Sequence, residues 1–289
     1  MYKQQVEITI VNGNHEQLKP FLFNLLKTYP ELSKKNIEKL LSDENMIEFK
    51  KAFTTPSANP EYNYEFYEML GDSTSNNCVV WYFHRRFFHE PEKIIVDKGT
   101  MTPVAIMSRL KQEGASVRQY SKFANNLGFL PYITMTNVEQ NKPIKILEDV
   151  FEAFIGCLVY HCDKIFGLHT GFTIAYPFIQ KLFDREDISI EREKLYEPKS
   201  RLNEDITKMR KNNIKFEYVH IEQRSSINPK EKFFITKAIL SDNTNRIIIQ
   251  TPEYKGTTKQ ENEQKAAEYI LKLNEYKELK KFLNIPLIV

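Results

Sequence analysis

Two short stretches place acids where a helix has no ordinary use for them. Residues 64–73 read YEFYEMLGDS, with Glu65, Glu68 and Asp72 at i, i+3 and i+7. On a helix this spacing stacks three carboxylates on one face. Stacked like charges destabilise a helix and raise one another's pKa. The neighbours Phe66, Tyr67, Met69, Leu70, Val79, Val80, Trp81 and Phe83 leave little polar surface to solvate them. A hard cation such as Mg²⁺ resolves the conflict, because it takes carboxylate oxygens and keeps several waters. From these residues alone, a metal-holding stripe and a solvated acidic face both stay open.

The second stretch, KILEDVFEAFIG (145–156), repeats the arrangement. Asp149 and Glu152 stand at i, i+3 among apolar residues, and Lys145 lies one turn before Asp149. Two apolar helices that each carry outlying acids point to convergence of the two sets. Four convergent carboxylates with Mg²⁺ form a site suited to phosphodiester hydrolysis.

The elements that must position these acids follow from periodicity. Residues 16–42 show apolar residues at helical spacing, broken at Pro30. Further helices are expected over 64–88, within 99–129 with a break near Glu113–Ala115, over 144–160 and over 168–186. The first 190 residues therefore read as all-α. After a charged stretch the pattern changes. A short helix (199–211) precedes three segments of strand character, FEYVHIEQ (216–223), KFFITKAIL (232–240) and NRIIIQT (245–251), and one long helix over 258–283. This α-β-β-β-α order predicts a small α+β domain. The expected layout is a domain at 1–190, a linker at 191–198 and a second domain at 199–283.

Composition narrows the classes. The 289 residues suffice for one large or two modest domains, and 41% hydrophobic content supports a core. The net charge is only +3, yet the residues from Leu195 onward hold 18 basic against 13 acidic side chains. That asymmetry fits contact with a polyanion, as it fits an ordinary solvated surface. No apolar run approaches the length of a transmembrane helix, and MYKQQVEITIVNGNHEQ lacks a signal peptide's apolar stretch. Three cysteines, Cys78, Cys157 and Cys162, argue against a disulfide framework and for a reducing, intracellular compartment. Cys157, His161 and Cys162 match no standard zinc spacing and read as ordinary helix residues.

Taken in order, the two acidic motifs resemble the ribonuclease III family. The family signature runs approximately NERLEFLGDS, matched here at Glu65, Glu68, Leu70, Gly71, Asp72 and Ser73. The second family motif, roughly KxLADxxEALIGA, is matched from Lys145 through Asp149 and Glu152 to Gly156. The intervening GTMTPVAIMSRL…QYSKFANNLGF is similar to the family's middle helices, so the resemblance covers about residues 16–190. It implies an all-α endonuclease domain that homodimerises and cuts double-stranded RNA, leaving 5′-phosphate and 3′-hydroxyl ends. Glu68, Asp72, Asp149 and Glu152 match the family's catalytic acids, which bind Mg²⁺, with Mn²⁺ as a substitute. Glu65 matches a supporting acid near the dimer interface, and Lys145 a lysine that assists in some members. Tyr64 and Phe66 depart from the signature's Asn and Arg, with no visible compensation. Some superfamily members are non-catalytic scaffolds that bind double-stranded RNA, and that alternative stays beside the enzyme.

The C-terminal pattern resembles a double-stranded RNA-binding domain. Lys199–Glu204 is similar to its first-helix motif, and Lys255–Ala267 to the start of its last helix. The resemblance implies RNA contacts from Asn203 and Glu204 to 2′-hydroxyls, and from Lys255, Thr258, Lys259 and Lys265 to phosphates. Gln260 replaces a family lysine. The loop Ser226–Glu231 lacks the family's histidine, and Lys230 and Lys232 are the candidates to supply charge there.

Overall fold

A computed structural model describes residues 7–29, 32–88, 102–190, 197–224 and 232–285. These residues divide into two compact units, one up to Ile188 and one from Ser189 onward.

In the first unit, α1 (His15–Leu26), α2 (Lys34–Leu40) and α3 (Asp43–Ala52) precede the long α4 (Glu65–Phe87). Then come α5 (Pro103–Gly114), α6 (Val117–Leu127), the short α7 (Asn137–Gln140), α8 (Ile144–Phe166) and α9 (Thr170–Phe183). The helix starts are written into the chain. Asn14, Ser33, Ser42, Thr102, Ser116 and Thr136 each accept a backbone N–H of the helix that follows, satisfying donors that helix geometry leaves unpaired.

Helix α8 is the axis of this unit. It is buried on every side from Ile146 to Leu158 and packs against α4, α6 and α9. Phe154 shows why: its ring lies 5.2 Å from that of Phe129, 5.6 Å from Phe178, 6.4 Å from Phe49 and 6.5 Å from Phe53. Burying one such ring contributes about 3 kcal/mol. A two-stranded antiparallel pair, β1 (Ile10–Val11) and β2 (Met135–Thr136), was not expected from periodicity; two residues are too few to show an alternation. The expected break at Pro30 lies outside the described residues.

The second unit opens with α10 (Pro198–Met209). Strands β3 (Lys215–Arg224), β4 (Lys232–Ser241), β5 (Ile247–Gln250) and β6 (Tyr254–Gly256) follow, then α11 (Lys259–Lys272) and α12 (Asn274–Phe282). All strand pairs are antiparallel. β3 matches β4 from Lys215↔Ser241 to Arg224↔Lys232, and β4 also pairs with β5 and with β6. On β4, Thr236, Ala238 and Leu240 are buried at period two. Ala238 and Leu240 meet Leu202, Ile206 and Met209 of α10 and Ala266, Ala267 and Ile270 of α11.

Two expectations need correction here. A fourth strand, β6, follows the three foreseen; at three residues it is too short to carry a pattern. The single helix expected over 258–283 is broken at Leu273, whose backbone is extended (φ −68°, ψ 136°). No Gly or Pro marks the break. Its cause is tertiary: the turn lets Tyr276 and Lys280 reach Asp205 on α10, at 3.2 and 2.7 Å, while Leu273, Leu279 and Leu283 pack on the core.

Candidate active site

Helices α4 and α8 touch through their backbones. A Cβ added at Gly71 would lie 1.7 Å from the Glu152 carbonyl oxygen, and one at Gly156 would lie 2.0 Å from that of Tyr67. Only glycine permits such an approach. Glu68 sits one turn before Gly71, and Asp149 and Glu152 lie within two turns before Gly156. The crossing therefore brings acids from the two motifs together. One carboxylate oxygen each from Glu68, Asp149 and Glu152 lies within 4.8 Å of the others.

Asp72 does not join this group. It is exposed, and Asn76 Nδ2 donates to its Oδ1 at 2.6 Å. Its side chain is a methylene shorter than that of Glu68, and Asn76 holds it one turn along the helix. The expected four-acid convergence is therefore three acids with a fourth nearby, whose charge still reaches Glu152. Glu65 is exposed in the first turn of α4, and its charge helps to raise Glu68.

The electrostatics record the crowding. Burial first, and then the charges of Asp149, Glu148 and Glu65, push the Glu68 carboxyl up to about 7, with Lys145 opposing. Burial, then Glu148, Asp72 and Glu68, push Glu152 up to about 8, again against Lys145. Lys145 is the local counter-charge. Its Nζ donates to Glu148 Oε2 at 2.6 Å and lies 2.6 Å from Asp149 Oδ1. Partial burial works against this ammonium, but its close contacts with the charged Asp149 and Glu148 outweigh it and push its pKa up.

Two participants escape a reading of the sequence. Glu148 is 7% exposed and paired to Lys145, which makes it a further acid beside the cluster. Its position four residues before Glu152 was the available signal, since both then share a helix face. Tyr64 is the other. Its hydroxyl donates to Asp149 Oδ2 at 2.9 Å, and no spacing rule links residues this far apart. The departure at Tyr64 thus has a compensation after all. Asn63 Oδ1 accepts from the Glu65 N–H at 3.1 Å at the start of α4. Phe66 is 53% exposed, and nothing in its surroundings explains the loss of the signature Arg.

The donor set fits a hard divalent cation. All three ligand groups are carboxylates, two of them at 6% exposure. Asp149 Oδ1 is buried and, although close to Lys145, accepts no aligned hydrogen bond. The Lys145 ammonium, 2.6 Å away, is the cation that offsets the burial of this oxygen, and a divalent ion there would take over that role. The cysteines and His161 play no part. Cys78, Cys157 and Cys162 are buried and free, and His161 stacks on Phe49 at 5.6 Å.

In the second unit, Lys255, Thr258 and Lys259 gather at the N-terminus of α11. Thr258 caps that helix by accepting the Glu261 N–H. Lys255 Nζ lies 3.7 Å from the Phe233 ring centre and Lys259 Nζ 5.4 Å from that of Phe234. Lys265 is paired with Glu261 at 2.6 Å, and Lys232 with Glu222 at 2.8 Å. Asn203 is exposed on α10, and Glu204 beside it is half-buried. Lys230 lies outside the described residues.

Fold and site together define a mostly helical domain that collects buried and half-buried carboxylates where two glycine-bearing helices cross. Residues 65–163 match the model of the Ribonuclease III domain. Over this stretch the chain is similar to the ribonuclease III family, at low identity. It is 34% identical over 157 residues to a putative ribonuclease 3 of Frog virus 3, covering 53% of this chain and 40% of that protein. It is 30% identical over 192 residues to a putative ribonuclease 3 of Invertebrate iridescent virus 6, covering 62% and 63% respectively. The match thus spans less than two thirds of either viral relative. The ribonuclease 3 of Francisella tularensis subsp. holarctica is 26% identical over 213 residues, 73% of this chain and 81% of that one. Among solved structures, the nuclease domain of ribonuclease III from Campylobacter jejuni is 29% identical, with a TM-score of 0.39, and covers 53% of this chain and 99% of that one. No described helix is long and apolar enough to cross a membrane.

Proposed function

We propose that this protein is a Mg²⁺-dependent endoribonuclease that cleaves double-stranded RNA by phosphodiester hydrolysis, leaving 5′-phosphate and 3′-hydroxyl ends. The observation that carries the reading is the convergence of Glu68, Asp149 and Glu152 within 4.8 Å inside a Ribonuclease III domain match. These three residues hold the ion, Mn²⁺ serving as a substitute, with Asp72 and Glu65 adding negative charge around it. When bound, the ion supplies Lewis acidity for hydrolysis at phosphorus. Glu68 and Glu152 keep protons near neutral pH in its absence and give them up when it enters. Lys145, whose side chain is 62% exposed, is positioned to leave its carboxylates and meet a phosphate oxygen.

Residues 1–190 are the endonuclease domain in this reading, 191–198 the linker and 199–283 a double-stranded RNA-binding domain. The α-β-β-β-β-α core of the second unit, which α12 follows, and the basic cluster at the N-terminus of α11 support that assignment. Lys255, Thr258, Lys259 and Lys265, with Lys230, address phosphates across the major groove. Asn203 and Glu204 address the wide minor groove. Two copies join through the endonuclease domain, so that each cuts one strand. The exposed Phe66, Met69 and Trp81 of α4 suit such an apolar contact.

One observation favours a second reading. Asp72 is engaged by Asn76 rather than by the other acids, as fits a protein that binds duplex RNA without cutting it. Cleavage of a long RNA duplex in Mg²⁺ and in EDTA separates the two. Enzyme is expected to cut only with Mg²⁺, and Glu152→Gln to bind but not cut. No turnover on any duplex, with normal binding, overturns the enzymatic reading.

A further inference from the structure

Tyr64 occupies an unusual place for a residue just outside a helix. It is 5% exposed, and three hydrogen bonds fix it. Its N–H donates to the Thr54 carbonyl at 3.0 Å, and its carbonyl accepts from the Glu68 N–H at 2.9 Å. Its hydroxyl donates to Asp149 Oδ2 at 2.9 Å. One residue is thereby tied to the backbone of one clustered acid and to the side chain of another, on two different helices. Its neighbour Asn63, which accepts the Glu65 N–H, is anchored to the carbonyls of Asn59 and Pro60 at 3.1 and 2.9 Å.

The consequence lies in how an aspartate offers its oxygens. The terminal torsion of a carboxylate is broad and roughly two-fold, so an untethered Asp149 can present either oxygen. A buried phenol on Oδ2 removes that freedom. Oδ1 is then the oxygen turned to the Lys145 side, buried and without an aligned hydrogen bond. Lys145 is largely exposed and can move away. Tyr64 cannot, being enclosed and bonded at both backbone groups.

We propose that Tyr64 is a positioning residue that presents Asp149 Oδ1 as a fixed ligand for the divalent cation. The inference rests on the metal-site reading above. Ligands held by a partner outside the coordination sphere bind more tightly because less order is lost on binding, and losing that partner weakens metal affinity by about 10–100-fold.

The test is Mn²⁺ binding to the full chain, followed by calorimetry and by the Mn²⁺ electron-spin signal, for wild type, Tyr64→Phe and Asp149→Asn. Tyr64→Phe keeps the buried ring and removes one oxygen, and far-UV circular dichroism checks that its helix content is unchanged. The expected result is an affinity about 10–100-fold below wild type for Tyr64→Phe, and no binding for Asp149→Asn. Cleavage by Tyr64→Phe should recover at saturating Mn²⁺, a metal-affinity defect rather than a loss of turnover. An affinity for Tyr64→Phe within about two-fold of wild type, with Asp149→Asn silent, overturns the role of Tyr64 and leaves the metal site standing. Wild-type protein that binds no Mn²⁺ overturns the metal site and this inference with it.

Discussion

Replacing Glu152 by Gln should stabilise the metal-free protein at alkaline pH, although the same change should abolish cleavage. In the fold the carboxyl is raised to about 8 from an ordinary 4.5, by burial and then by Glu148, Asp72 and Glu68. Between those two values the folded state binds more protons than the unfolded chain, so stability falls as pH rises from about 5 to about 8. At about 1.4 kcal/mol per pH unit the full effect has a ceiling near 5 kcal/mol. The repulsion is shared with Glu68, which titrates in the same range, so about 2–3 kcal/mol belongs to Glu152 alone. The assay is urea unfolding in EDTA, followed by fluorescence of Trp81, the only tryptophan in the chain and a residue of α4. Wild type and Glu152→Gln should agree at pH 4, below the ordinary value of 4.5, where the side chain is largely neutral in folded and unfolded chain alike. At pH 8.5 the variant should be the more stable by about 2–3 kcal/mol. Saturating Mg²⁺ at 100 times its Kd should return about 2.7 kcal/mol to wild type and much less to the variant. Parallel pH profiles for the two proteins, or a variant less stable at pH 8.5, refute the view that the acids oppose one another in the metal-free fold.

Two further perturbations probe what holds each unit together. Gly71→Ala forces a methyl group against the Glu152 carbonyl; it should destabilise the helical unit by about 2–3 kcal/mol, read from Trp81 unfolding, and weaken Mn²⁺ binding. Lys280→Met strands Asp205, which is 2% exposed, without its cation; urea unfolding of the second unit by far-UV circular dichroism should show a loss of about 3–5 kcal/mol, largely recovered when Asp205→Asn is added.

Much of this was legible in the chain. The helices around both acidic motifs fall close to where apolar periodicity puts them, because α4 and α8 are long and strongly patterned. Glu68, Asp149 and Glu152 were recognisable because charges amid apolar neighbours contradict that pattern. What stayed hidden depends on contacts between distant residues. Asp72 shares the spacing of a helix stripe, but side-chain length and Asn76 decide where its carboxylate goes. Tyr64 looks like a lost signature residue until α8 is packed beside it. The break at Leu273 has no local cause, since Asp205, which draws Tyr276 and Lys280 inward, lies on another helix. Glu148 shares a helix face with Glu152 by spacing, but its pairing with Lys145 shows only in the fold.

The backbone contact at Gly71 and Gly156 has a bearing on ion selectivity. Helices separated by side chains can slide a little to suit a guest. Helices resting carbonyl to Cα cannot come closer, so the span between Glu68 and Glu152 is set by main chain, and only side-chain length can tune it. An ion proposed for this site therefore meets a gauge with a minimum opening. Mg²⁺ bonds oxygen at about 2.0–2.1 Å and Ca²⁺ at about 2.3–2.6 Å. A span that cannot tighten bears on which radius the two glutamates can close around, and shortening either glutamate to aspartate would change which ion the protein prefers before it changed how the protein folds.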